Sequence, residues 1–186
     1  MVLPIVAYGD PELRKVGVEI SKDYHDLEKL IDDMFETMEK SKGVGLAAHQ
    51  INKPIRLFII DSTRMFDEEE KKNDGIREVF INAKMIKETG DDWPYEEGCL
   101  SIPNIREDVY RNDTIRIQYF DREFKKHEKD FKGLTARVIQ HEYDHIEGKL
   151  FIDHLKPLKR SLLKGRLDKI SKGIVDVSYK MKFPKK

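Results

Sequence analysis

Cysteine is almost absent from the sequence, which has Cys99 alone among 186 residues. A single cysteine cannot form an internal disulfide, so a fold held together by disulfides is excluded. No uninterrupted apolar stretch approaches the roughly 20 residues that a helix needs to cross a bilayer, which excludes a membrane span and a membrane partner. The first residues, MVLPIVAYGD, lack the charged leader and apolar run of a signal peptide. These absences predict a cytoplasmic protein.

Net charge is absent as well, because 35 Lys and Arg balance 35 Asp and Glu. A general nucleic-acid-binding protein would show a strong basic excess, so that class is excluded. The balance is uneven along the chain, since residues 156–186 contain 11 basic residues against Asp168 and Asp176. We expect this basic tail to be a solvated surface, and docking to an anionic partner is the alternative.

Hydrophobic residues make up 39% of the chain, enough to fill one sizeable core, so we expect a single domain over residues 1–186. Apolar residues recur every three or four positions in residues 23–42, which predicts an amphipathic helix. Two further helices are predicted over residues 134–147 and 157–172.

Strand patterns fill much of the rest of the sequence. The apolar run at residues 56–61 predicts a buried strand, and residues 77–88 predict a strand pair or one long strand. Residues 113–131 alternate, break near their middle and resume, as a hairpin does. Between these segments we expect an exposed loop over residues 65–75 and a turn near residues 93–94.

The last segment, residues 174–183, alternates like an edge strand. Together with the helices, the strands predict an α+β fold with a mostly antiparallel sheet. The helix over residues 134–147 is expected to be buried among these strands.

A His-Glu-x-x-His motif lies in that helix. His141 and His145 are four residues apart and therefore share one helix face, where both imidazoles can bind one metal ion. Glu142 is rotated by about 100° from His141 and remains free as a base. A metal ion with an unliganded carboxylate beside it indicates hydrolytic chemistry.

The motif leaves the third ligand open. Catalytic zinc-like sites use three protein ligands and keep one position free. His154 is one candidate, although it follows the predicted end of the helix, and with it the chain would resemble a zincin-like metallopeptidase. Cys99 is the better candidate, because a thiolate binds borderline-soft divalent metals strongly.

Four blocks of the sequence together resemble the peptide deformylase family. They are LPIVAYGDPELRK near the start, GVGLAAHQ at 43–50, EGCLS at 97–101 and QHEYDHIEG at 140–148. They occur in the family's order and extend over nearly the full chain. His49 departs from the family, in which proline is usual or threonine appears, and we assign it no role.

The resemblance implies a metal centre. Cys99, His141 and His145 would bind one divalent ion, and water or hydroxide would take the fourth position. Fe²⁺ is the implied ion in the cell, and Zn²⁺, Ni²⁺ or Co²⁺ can occupy the same geometry. The implied fold is an α+β barrel-like sheet around the motif helix.

The resemblance also implies the reaction, which is hydrolysis of an N-formylmethionyl peptide to formate and a methionyl peptide. Glu142 would serve as general base and acid. The side chain of Gln50 and the backbone N–H of Leu100 would stabilise the developing negative charge. A substrate that is a nascent chain further implies transient ribosome contact, for which the basic tail is the candidate surface.

A pocket for the methionine side chain is expected beside the metal. Leu134 and Val138 precede His141 by seven and three residues on the same helix face, although core packing explains Leu134 at least as well. The residues predicted to bind substrate are Val44, Gly45, Gly98, Leu134 and Val138. A non-enzymatic domain with a structural metal is the remaining alternative, but such sites normally have four protein ligands.

Overall fold

A computed structural model describes residues 1–66 and 75–184 of the protein. Most of the loop predicted over residues 65–75 therefore lies outside the described residues. The three predicted helices are confirmed, with ends that differ by only a few residues. They are α1 (Leu27–Lys40), α2 (Gly133–Ile146) and α3 (Pro157–Ser171). In the part of the chain that the structure describes, no helix is both long and apolar enough to cross a membrane.

Within residues 1–66 and 75–184, seven strands form two sheets. They are β1 (Ile5–Val6), β2 (Gly45–Ala47), β3 (Leu57–Asp61), β4 (Arg77–Cys99), β5 (Ile102–Phe120), β6 (Lys126–Lys132) and β7 (Met181–Lys182). The larger sheet is antiparallel with the order β2-β3-β4-β5-β6, and β1 pairs with β7 in parallel. The α+β class and the mostly antiparallel sheet are thus confirmed. Neither sheet closes on itself within the described ranges, so a barrel is not confirmed.

The turn predicted near residues 93–94 is wrong. Trp93 and Pro94 lie inside the long strand β4, where they pair with Arg111 and Tyr110 of β5. A shift of register between Thr89 and residue 92 absorbs the local irregularity without ending the pairing. Strand pairing in the C-terminal segment is shorter than the predicted 174–183, because only β7 joins a sheet.

Helix α2 lies against the larger sheet with its apolar face inward. Its residues Ala136, Ile139 and Ile146 are fully buried and pack with a stacked aromatic pair, Phe58 and Phe80. Because a helix exposes a different face every few residues, the polar positions of α2 point away from this cluster. His141 and Glu142 line one cavity with Leu100, which lies in the tight turn at residues 100–101 that joins β4 to β5. The candidate site lies between this turn and α2.

Candidate metal centre

Strand β4 and helix α2 bring three potential metal ligands together. Cys99 is the last residue of β4, and His141 and His145 lie one helical turn apart on α2. Their ligand atoms all lie within 4.8 Å of one another, and Cys99 Sγ is 3.3 Å from His145 Nε2. One thiol and two imidazoles within this distance fit a single divalent ion with a fourth position left for a small ligand.

The two histidines differ in their electrostatics. Burial, reinforced by the nearby His141, holds the pKa of His145 well below its usual value, so its ring is neutral and its Nε2 can act as a ligand. Burial also acts to lower the pKa of His141. Hydrogen bonds with Cys99 and Glu97 outweigh it and raise that pKa.

Glu97 fixes the orientation of the His141 ring. Its Oε2 accepts a hydrogen bond from His141 Nδ1 at 2.9 Å, which leaves Nε2 of the same ring free to bind a metal ion. Burial alone would raise the pKa of Glu97. The hydrogen bonds from His141 and Arg111 are stronger together and hold that pKa far below its usual range, so the carboxylate stays ionised.

A buried ion network supports Glu97 from behind. Arg111 Nε donates to Glu97 Oε1 at 2.7 Å, and Arg137 Nη1 donates to the same oxygen at 3.1 Å. Arg111 Nη1 also donates to Asp144 Oδ2 at 2.7 Å. Asp144 is hydrogen-bonded in turn to His154 Nε2, at 2.7 Å. His154 therefore belongs to this network and is not one of the three candidate metal ligands.

Glu142 lies against the backbone of β2. A Cβ atom at position 45 would come within 2.4 Å of Glu142 Oε1, so Gly45 is required for the carboxylate to fit. The side chain is 4% exposed, and its Oε2 has no hydrogen-bond partner among the described residues. Burial raises the pKa of Glu142 to about 7, which suits a group that both accepts and donates protons near neutrality.

Gln50 directs its amide group into the centre. Its Oε1 accepts a hydrogen bond from the backbone N–H of Ala47 at 2.9 Å, which fixes the side chain and turns Nε2 toward the cluster. Nε2 lies 3.4 Å from Cys99 Sγ and 3.3 Å from Ser101 Oγ. A hydrogen-bond donor thus lies next to Cys99 of the candidate ligand set.

A cavity of about 610 Å³ opens beside the cluster. Four of the five residues predicted to bind substrate line it, namely Val44, Gly45, Gly98 and Val138. Leu134 is half-buried at the start of α2 and lies outside the lining as the structure describes it. Residues 176–179 of the C-terminal segment also line the cavity, and no sequence motif indicates their presence there.

The ion network around Glu97 was not predicted from the sequence either. Glu97 and Ser101 lie inside the EGCLS block, so their proximity to Cys99 was a usable signal. Arg111 gave no such signal, because only the pairing of β4 with β5 brings it beside Glu97.

His49 precedes Gln50 in the chain and lies outside the cavity lining as the structure describes it. Its side chain is fully buried next to Gly17, where a Cβ atom would come 3.0 Å from the imidazole Cε1. Burial lowers the pKa of His49 to about 4, so the ring is neutral at pH 7. The histidine at position 49, which departs from the family pattern, is therefore part of the core packing next to Gln50.

A cysteine, two histidines and a free buried carboxylate at the edge of a cavity define a mononuclear metal hydrolase. The chain belongs to the polypeptide deformylase family, whose profile matches residues 2–161. It is 58% identical to a peptide deformylase of Cytophaga hutchinsonii over 184 residues, which cover 99% of this chain and 98% of that protein. It is 52% identical to a peptide deformylase of Flavobacterium psychrophilum, with full coverage of both chains.

Solved structures show the same fold. A peptide deformylase from Legionella pneumophila superposes with a TM-score of 0.81 at 36% identity, covering 94% of this chain and 98% of that one. A peptide deformylase from Ehrlichia chaffeensis, crystallised with actinonin, gives a TM-score of 0.80 at 32% identity, covering 92% of this chain and 97% of that one.

Proposed function

We propose that this protein is the hydrolase that removes the N-formyl group from the N-terminal formylmethionine of nascent proteins and releases formate. Family membership over the whole chain supports this activity. The observation that carries it is the buried Glu142, whose unpartnered oxygen lies beside the cluster of Cys99, His141 and His145. We further propose that residues 1–186 act as one catalytic domain in the cytoplasm.

Cys99, His141 and His145 would hold one divalent ion, Fe²⁺ in the cell, with Zn²⁺, Ni²⁺ or Co²⁺ able to use the same ligands. When bound, the ion supplies Lewis acidity, which polarises the formyl carbonyl and lowers the pKa of water. The protein contributes the orientation of the ligands. Glu97 holds the His141 ring in position, and the network behind Glu97 keeps that carboxylate charged.

Glu142 handles the proton. Its Oε2 accepts a proton from the attacking water, and the carboxylic acid then donates it to the nitrogen of the departing methionine. A pKa near 7 makes both transfers accessible at neutral pH. Because Gly45 has no Cβ atom, the carboxylate has room to lie against β2.

Two donors stabilise the negative charge that develops on the formyl oxygen. Gln50 Nε2 already points toward the cluster because its Oε1 is bound by Ala47 N–H. The backbone N–H of Leu100 is the second donor in this proposal. Loss of one such donor typically lowers kcat by about 10²–10³-fold.

The methionine side chain would occupy the cavity next to α2. Val44 and Val138 supply apolar surface there, and Gly45 and Gly98 line the same cavity.

Formate release from formyl-Met-Ala-Ser tests the proposal. We expect one formate for each tripeptide consumed, with Met-Ala-Ser as the other product and no cleavage of internal peptide bonds. The alternative, a zincin-like metallopeptidase, would cleave internal bonds. That alternative needs His154 as a ligand, and the hydrogen bond of His154 to Asp144 speaks against it. Internal cleavage without formate release would contradict our proposal.

Transient ribosome contact through the basic tail is a separate part of the proposal. Arg160 and Lys164 lie on the exposed side of α3, away from the cavity. The double variant Arg160→Glu/Lys164→Glu should weaken cosedimentation with ribosomes, while formate release and melting temperature stay as in the wild type. Unchanged cosedimentation would rule out this surface.

A further inference from the structure

The C-terminal segment beyond α3 returns to the cavity. The family profile ends at residue 161, yet residues 176–179 form part of the cavity wall. Two sets of hydrogen bonds hold the segment there. Strand β7 pairs with β1, where Ile5 N donates to Lys180 O at 2.9 Å. Asn104 Nδ2 donates to the backbone carbonyl of Asp176 at 3.2 Å. The segment is therefore tied to the body of the protein on both sides of residues 177–179.

Tyr179 connects this segment to the turn that carries the proposed oxyanion donor. Its hydroxyl donates to the backbone carbonyl of Leu100 at 2.7 Å, and its ring packs on the core cluster that Leu100 also contacts. The phenol is half-buried, and burial raises its pKa, so the hydroxyl keeps its proton and remains a donor. The contact thus joins a neutral donor to a backbone acceptor.

Leu100 lies where the strand ladder does not fix the backbone. It falls between β4, which ends at Cys99, and β5, which begins at Ile102, and the register shifts between Gly98 and Cys99. Its neighbour Ser101 is held from two sides, because Tyr8 N donates to its carbonyl at 2.8 Å and Gln50 contacts its hydroxyl. The Leu100 carbonyl is held by Tyr179. Contacts from outside the hairpin therefore set the direction of this turn.

We propose that Tyr179 is a positioning residue for deformylation, which holds the Leu100 carbonyl and thereby directs the Leu100 N–H at the developing oxyanion. This inference rests on the proposed function and extends it to a segment outside the family profile. Rotation of the turn would misalign the donor without removing any group that binds the methionine side chain. The expected signature is a lower kcat with KM little changed, because the donor acts on charge that is larger in the transition state than in the substrate.

Tyr179→Phe tests the inference, since it removes the hydroxyl and keeps the ring. We expect kcat for formyl-Met-Ala-Ser to fall by about 10-fold, as partial misalignment should cost less than the full loss of one donor, about 10²–10³-fold. Inhibition by the product Met-Ala-Ser, which has no formyl oxygen, should be unchanged. The carbonyl carbon chemical shift of Leu100 should move, since that atom loses its hydrogen bond. Tyr110→Phe is the matched control, because Tyr110 is 61% exposed and lies outside the cavity lining.

The outcomes separate the inference from the function on which it rests. If the wild-type enzyme releases formate and Tyr179→Phe keeps its full kcat, the positioning role is wrong and the proposed function stands. An equal loss of kcat and of Met-Ala-Ser binding would also overturn the inference, because it would show a general disturbance of the cavity wall. If the wild type releases no formate, the proposed function fails, and the inference fails with it.

Discussion

Glu142 and Asp144 are both buried carboxylates on α2, only two residues apart, and they differ in their hydrogen-bond partners and in the direction of their pKa shifts. Asp144 binds Arg111 and His154, and these partners outweigh burial and lower its pKa. Glu142 Oε2 has no hydrogen-bond partner among the described residues, and burial raises its pKa to about 7. The hydrogen-bond partners of these two carboxylates, more than their depth of burial, thus determine which one is structural and which one is reactive.

The largest effect should come from removing the unpartnered carboxylate. Glu142→Ala should lower kcat by about 10²–10⁴-fold, the usual range for a general acid–base group. Metal content and melting temperature should be preserved, because the carboxylate is neither a ligand nor part of the ion network. Formate release, metal analysis and thermal unfolding check these outcomes. Retained activity would remove Glu142 from the mechanism.

Removing a carboxylate of the buried ion network should lower the stability of the protein and also weaken the metal centre. Glu97→Gln removes the charge that faces Arg111 and Arg137, and disruption of a buried ion pair typically costs about 3–5 kcal/mol. It also weakens the support of His141, for which a loss of roughly 10–100-fold in metal affinity is typical. Denaturant unfolding and metal titration measure both. Glu96→Gln is the matched control, because Glu96 is the neighbouring residue and its side chain is 62% exposed.

His49 extends this comparison to a buried side chain outside α2. Burial is the main cause of its lowered pKa. Its pKa is about 4 in the folded protein and 6.5 in the unfolded chain. The unfolded chain therefore binds a proton that the folded protein does not, and stability is lost as pH falls from 6.5 to 4. The loss should be roughly 3 kcal/mol at about 1.4 kcal/mol per pKa unit.

Unfolding free energies measured across that pH range, with and without His49→Thr, check this expectation. The variant should lose much of the pH dependence between 6.5 and 4. His25→Asn is the control, since the His25 side chain is 92% exposed. An unchanged slope in His49→Thr would show that other groups cause it.

The smallest effect should follow from His154→Ala, which removes one side chain that is hydrogen-bonded to Asp144 and leaves Arg111 in place. Because the His154 side chain is about one-third exposed, we expect a loss of only about 1 kcal/mol in unfolding free energy. Metal content should stay at the wild-type level. A loss of metal would return His154 to the ligand set and favour the metallopeptidase alternative.

Local patterns sufficed to predict the helices and the hairpin of β5 and β6, because periodicity and capping signals lie within a few residues. The turn expected near residues 93–94 is wrong, because the described pairing of β3 with β4 ends at Ile81 and leaves Pro94 on an edge of the sheet, where proline is tolerated. The extent of strand pairing at the C-terminus depends on β1, at the opposite end of the sequence. No local pattern carries that information.

The residues of the candidate site also fall into those that local sequence predicts and those that only the tertiary structure reveals. The sequence motifs predicted Cys99, His141 and His145, and the structure brings these residues together. The pairing of Arg111 with Glu97 and the contact of Tyr179 with Leu100 depend on tertiary structure. The groups of the metal centre thus lie in short motifs, whereas the groups that hold them in position come from distant segments.

The most direct test of the account is the absorption spectrum of the Co²⁺-substituted protein, since a thiolate bound to Co²⁺ gives a sulfur-to-metal charge-transfer band. We predict this band in the wild type and in Glu142→Ala, because Glu142 is free of the metal, and its disappearance in Cys99→Ser. A wild-type protein that binds Co²⁺ without the band, or a band that persists in Cys99→Ser, would contradict the account.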